Sequence, residues 1–194
     1  GRLAGCENTT GSNNTGIGGS SFNSNSTGNF NVAVGHSALE TNTTASNNVA
    51  VGYRAAGANT TASNNVAVGM CAMLTNTTGA SNVAVGKSSL VCNTTGCQNA
   101  TVGIDSLGKT TTGYNNAAIG YAALNSVTTG QGNLGIGAVS GAEGAMINIT
   151  SENNRAVFGN NGITNAYVKV AFTVTSDARD KMNFGTVPHG LDFV

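Results

Sequence analysis

Hydrophobic and polar positions alternate along most of this chain in short runs of one form, an Asn followed by three apolar residues and a Gly. The runs read "NVAVG" at Asn31–Gly35, Asn48–Gly52, Asn65–Gly69 and Asn82–Gly86, and "NAAIG" at Asn116–Gly120. With variants included, the opening Asn falls at positions 14, 31, 48, 65, 82, 99, 116 and 133, always 17 residues apart. The closing Gly keeps the same step, from Gly18 to Gly137. So strict a period means one structural unit stacked on copies of itself. An unbroken Gly column implies a corner with positive φ or close backbone approach.

Other columns hold the register. A Thr precedes each Asn by four residues and is followed by Gly or Ala, which marks a turn in every copy. Eight residues after the Asn stands a large apolar residue: Phe22, Leu39, Met73, Leu90, Leu107 or Leu124, with Ala56 and Gly141 as exceptions. Each unit therefore reads as turn, strand "NVAVG", corner, short strand "xxAL" and loop. Seventeen residues are too few for a strand, a helix and two connections. The pattern predicts an all-β fold, a β-solenoid or β-roll of stacked coils paired by parallel ladders. Eight coils at about 4.8 Å each make a rod roughly 40 Å long. The Asn column stacks as a side-chain amide ladder. The structural repeat residues are thus Asn31, Gly35, Asn48, Gly52, Asn65, Gly69, Asn82, Gly86, Asn116 and Gly120.

Both faces of the "VAV" strand are apolar, and such a strand is buried on both faces. A thin coil has room for the Ala column Ala33, Ala50, Ala67 and Ala84. The column Val34, Val51, Val68, Val85, Val102, Ile119 and Ile136 then needs a partner outside the coil, and other copies of the chain are the simplest one. The reverse assignment, with the large residues inside, weakens the case for an oligomer.

Composition narrows the function. The 194 residues carry zero formal net charge and only 8% charged side chains. A nucleic-acid binder needs a basic stripe that this chain lacks. No apolar run is long enough for a membrane-spanning helix, and no signal peptide is visible. The chain opens on Gly1 rather than Met, as a fragment or processed product does. Cys6, Cys71, Cys92 and Cys97 occupy different repeat positions and form no C-x-x-C pair, so free thiols are expected over a disulfide scaffold or zinc site, with a Cys92–Cys97 bridge as the alternative. No His or carboxylate constellation suggests a cofactor, a metal or a glycosidase pair. Sequons at Asn8, Asn25, Asn42, Asn59, Asn76 and Asn93 follow from the period and read as hydrogen-bonded loop residues. Tyr53 and Tyr121 share one column and Tyr114 lies in a turn; a sugar-stacking surface is the weaker reading of them beside packing.

The repeats "NVAVGHSAL" (Asn31–Leu39) and "NAAIGYAAL" (Asn116–Leu124), framed by "TTG" turns, resemble those of phage tail fibres and are similar to the head repeats of trimeric autotransporter adhesins. The resemblance covers residues 8 to 142 and implies a homotrimer, with the Val34-to-Ile136 column as trimer contact. After Gly144 the period fails, and the last 43 residues hold eight of the sixteen charges. The expected organisation is a shaft over 1–144, a β-rich junction over 145–175, and a third segment over 176–194.

That third segment opens with "SDARDK", Ser176–Lys181, which looks like the start of the intramolecular chaperone domain behind phage tail fibres, tailspikes and endosialidases. Residues 176–194 match only its first, incomplete part. The resemblance implies self-cleavage in a full-length precursor, with Ser176 as nucleophile and Lys181 as base; a Ser hydroxyl needs such a base, and a partly desolvated Lys can serve. On spacing alone the pair reads as a charged loop with a capping Ser.

The resulting expectation is a structural and adhesive tail-fibre component of the virion, not an enzyme, without cofactor. Its partners would be its own copies, other tail proteins and a host-surface receptor, a glycan among the candidates, with no nucleic acid and no membrane insertion. Alternatives are a bacterial trimeric adhesin head and an ice-binding solenoid built on the Thr repeats.

Overall fold

The computed structural model describes residues 1–145 and 147–165. Nine three-residue strands form one parallel sheet in sequence order: β1 (Thr15–Ile17), β2 (Val32–Val34), β3 (Val49–Val51), β4 (Val66–Val68), β5 (Val83–Val85), β6 (Ala100–Val102), β7 (Ala117–Ile119), β8 (Leu134–Ile136) and β9 (Ala156–Phe158). The fold is an all-β solenoid. Each strand pairs with the residue 17 positions on, as in Ala33↔Ala50, up to β8. Eight steps of about 4.8 Å make a stack about 40 Å long.

The core is one column of large side chains facing one column of small ones. Ala33, Ala50, Ala67, Ala84 and Ala118 point inward from the strands and are fully buried. Opposite them stand Leu39, Met73, Leu90, Leu107 and Leu124, equally buried. The small-strand assignment and the large residues eight positions on are therefore complementary halves of one interior. Where Thr101 replaces the Ala, its hydroxyl hydrogen-bonds that of Ser89 from the preceding coil, which satisfies a polar pair that would otherwise be buried unpaired.

The segment expected as a second strand, "xxAL", is instead a series of turns. Ser37 (φ 55) and Leu39 (φ 48) are left-handed, and the same two positions recur as Arg54 and Ala56, Cys71 and Met73, Ser88 and Leu90. Alternating handedness breaks strand geometry, yet the coils still bond to each other here, as in Leu39 N–H to the Ala55 carbonyl at 3.1 Å. At the corner, Gly69 has φ 134, and a Cβ there would lie 2.5 Å from the Gly86 carbonyl oxygen of the next coil. That is why the column admits only Gly.

The stack continues past Gly144, where the sequence period ends. β9 pairs with β8 at a spacing of 22 rather than 17, Leu134↔Ala156. Five extra residues are accommodated in the loop between them, and Ile149 is buried beneath. The coils belong to a compact unit spanning Gly1–Ile163; a second unit begins at Thr164. Ser176 and Lys181 lie outside the described residues.

Candidate functional site

Two Asn ladders link the coils, one through every repeat and one through the first six. In the first, the backbone N–H of each repeat Asn donates to the side-chain oxygen of the Asn one coil earlier: Asn31 to Asn14, Asn48 to Asn31, Asn65 to Asn48 and Asn82 to Asn65, each at 2.9 Å. The ladder continues through Asn116 and Asn133 and ends where Arg155 N–H donates to Asn133 Oδ1 at 2.9 Å. The second ladder uses the sequon residues. Asn42 Nδ2 donates to Asn25 Oδ1 and Asn59 Nδ2 to Asn42 Oδ1, both at 2.9 Å. Asn25, Asn42, Asn59, Asn76 and Asn93 are fully buried, so their amides are occupied inside the fold. This ladder stops at Asn93, whose Oδ1 has no partner, because the next position is Thr110 and its hydroxyl donates onward to Val127 O.

The two Thr of each turn differ. Thr43, Thr60, Thr77 and Thr94 donate their hydroxyls to the carbonyl of the matching residue one coil on, at 3.0 to 3.1 Å. Their neighbours Thr44, Thr61, Thr78 and Thr95 are exposed. These side chains serve geometry, and the residues that remain for function lie on the outside.

The outer face of the sheet is the feature that stands out. Strand residues one and three project from it, so the column Ile17, Val34, Val51, Val68, Val85, Val102, Ile119, Ile136 and Phe158 lies beside a second column, Thr15, Val32, Val49, Val66, Val83, Ala100, Ala117, Leu134 and Ala156. Seventeen apolar side chains and one Thr make up these two columns. Exposure is 36% at Val51, 46% at Val102, 49% at Ile119 and 66% at Phe158. A strip about 40 Å by 10 Å, roughly 400 Å2, is as large as the largest apolar patch of an ordinary monomer, a patch that is often functional. All seven residues expected as trimer contacts lie in the first column.

Other expected features are dispersed. His36 and Tyr53 stand one coil apart with ring centroids 5.8 Å apart; Tyr121 is exposed in their column and Tyr114 is exposed elsewhere. Cys6, Cys71, Cys92 and Cys97 are free thiols. Among the described residues no group of His, Cys, Asp and Glu is placed to hold a metal, and the one ion pair, Lys109 to Glu143 at 3.8 Å, is exposed, where such pairs contribute little. The sequon Asn do hold their own loops, Asn42 Nδ2 donating to Ala45 O at 3.1 Å, but they also form a buried ladder between coils that the loop reading does not contain; its one signal in the sequence is the exact 17-residue recurrence of Asn.

Comparison with protein-family models, with curated proteins and with solved structures found no match.

Proposed function

We propose that the chain is a structural and adhesive segment of a phage tail fibre, in which three copies pack their outer sheet faces around a common axis to form a rigid rod. The observation that carries this reading is the apolar outer face: two columns continue over nine strands with a single Thr among them. In water that face is unfavourable, and burying apolar surface contributes about 25 cal/mol per Å2. A threefold rod would present several copies of a weak receptor contact at once and raise avidity without stronger individual contacts. The partners under this reading are other tail proteins and a host-surface receptor, and the location is the virion.

The tail motif "SDARDK" adds support through its resemblance to chaperone-bearing fibres. Self-cleavage at Ser176, with Lys181 as base, belongs to this proposal for a full-length precursor. The test of the main reading is native mass by light scattering in non-denaturing buffer. Three times the mass of one chain supports it; a folded monomer at micromolar concentration overturns it.

A second reading has one observation in its favour. Thr10, Thr27, Thr44, Thr61, Thr78, Thr95, Thr112 and Thr129 are exposed in single file at the coil spacing, an array suited to an ordered surface such as ice. Thermal hysteresis in a freezing assay distinguishes it from the fibre reading.

A further inference from the structure

Two neighbouring amides tie the turn that follows β9 to the coil before it. Asn160 Nδ2 donates to Ala138 O at 3.0 Å, and Asn161 Nδ2 donates to Gly144 O at 2.9 Å. Ile163 N–H closes the turn on Asn160 O at 3.2 Å. The bond from Asn161 fastens the turn to the loop that holds the five extra residues. A cavity of about 350 Å3 lies there, and its lining includes Val139, Glu143, Gly144 and Asn161.

Asn161 differs from the ladder amides in two ways. It is exposed, whereas the ladder residues from Asn31 to Asn133 and from Asn25 to Asn93 are buried. In the whole sequence it is also the one Asn followed by Gly. An Asn side chain is open to attack by the backbone nitrogen of the next residue, and Gly presents that nitrogen with no Cβ to obstruct the approach. Two bonds restrain the attack here. Gly162 N–H donates to Asn160 Oδ1 at 2.8 Å, and the Asn161 amide is held by Gly144.

We propose that Asn161 is a site of spontaneous deamidation, and that the product releases the loop it now holds. The Gly162 nitrogen gives its proton to water and bonds to Asn161 Cγ. The Cγ–Nδ2 bond breaks, and Nδ2 leaves as ammonia. The succinimide so formed takes up one water molecule and opens at either carbonyl, to aspartate or to its β-linked isomer. Either product carries a carboxylate, which accepts hydrogen bonds and donates none. It cannot hold Gly144 O, and it shares the cavity with the Glu143 carboxylate. The isomer also adds a carbon to the backbone of the turn. The change is irreversible, so the fastening is lost once. The inference uses this turn alone and is independent of the fibre reading.

The test is incubation of the full chain in mildly alkaline buffer, followed by site-resolved mass spectrometry and enzymatic methylation of the β-linked isomer. Asn161 should convert before every other Asn, into both products. Gly162→Ala should slow the conversion by at least about fivefold, through the added Cβ. Asn160→Ala removes the acceptor of Gly162 N–H and should hasten it. Asn161→Asp reproduces the linear product. It should speed hydrogen exchange at the loop amide of Ala145, which is bonded to Ala142 O at 3.0 Å, by about tenfold. An intact Asn161 after another Asn has converted overturns the site, as do equal rates in the parent and Gly162→Ala. An unchanged rate in Asn160→Ala overturns the restraint. Unchanged exchange in Asn161→Asp overturns the release of the loop.

Discussion

Asn48 donates its backbone N–H to the side-chain oxygen of Asn31, 17 residues earlier, at 2.9 Å. One bond of this kind per coil ties each strand start to the preceding coil through a side chain, alongside the backbone ladder of the sheet. The bond is buried at both ends, where an unmade hydrogen bond is expensive.

Removing a middle rung tests this. Asn65→Leu leaves Asn82 N–H, now bonded to Asn65 Oδ1 at 2.9 Å, without an acceptor. The expected loss is about 1–3 kcal/mol, read from urea unfolding. A loss below a few tenths would mean that water or a relaxed backbone replaces the rung.

The paired Thr of each turn give an internal control. Thr77 Oγ1 donates to Thr94 O at 3.0 Å, whereas Thr78 is exposed. Thr77→Val should destabilise by about 0.5–1.5 kcal/mol, and Thr78→Val should stay within about 0.5 kcal/mol. Equal effects from the two substitutions would contradict the division of labour.

The corner Gly column predicts a contrast within one residue type. Gly69→Ala would drive its Cβ against the Gly86 carbonyl at a φ of 134, so two coils must separate. Gly5 has φ 60 and open space around the position of a Cβ. Gly5→Ala should lose about 1–2 kcal/mol from left-handed strain alone. Gly69→Ala should lose several kcal/mol or prevent folding, because a fixed carbonyl cannot yield as a flexible side chain can. Circular dichroism melts of the two variants separate strain from collision.

Among the described residues, one carboxylate has a shifted pKa. Hydrogen bonds from Thr150 N–H at 2.6 Å and Ser151 N–H at 3.1 Å, with that of its own backbone, hold Glu152 below the usual carboxylate range. A lowered folded-state pKa means that its contribution is complete above the unfolded pKa and is lost as pH falls through the folded one. An NMR titration of Glu152 should give a midpoint below that of an unstructured Glu, and Thr150→Pro, which removes the donor of the 2.6 Å bond, should move it upward.

These tests rest on columns that were legible because the chain repeats them eight times. Ala33 and its equivalents could be placed inward from size alone, and the Gly corner from its lack of exceptions. Leu39 could be seen as large but not as left-handed: nothing in a Leu announces φ 48, which the surrounding coils impose. The coil that carries β9 was hidden for another reason. "RAVFG", Arg155–Gly159, has the strand pattern with Arg in place of Asn, but five extra residues put it out of step. Arg155 needs only its backbone N–H to complete the final rung, so the side chain was free to change. The outer face was legible as apolar, while its use was not, because a partner leaves no mark in the sequence of one chain beyond the surface it would cover.

That surface allows stability and association to be separated on a single strand. Ala118 and Ile119 are neighbours in β7; the first is fully buried inside the coil and the second is 49% exposed on the outer face. Ala118→Leu overpacks the interior beside Leu107 and Leu124 and should destabilise the isolated chain by about 1–3 kcal/mol. Ile119→Lys keeps the coil intact, since its side chain points away from the core. In a threefold assembly it would bring three ammonium groups toward one axis, where burying unpaired charge is prohibitive. The expected outcome is a normal circular dichroism spectrum and the mass of a single chain, with the parent sequence measured alongside as a trimer. A trimer that survives Ile119→Lys would show that the outer face does not line the axis, and the contact would then have to be sought on another flank of the coil.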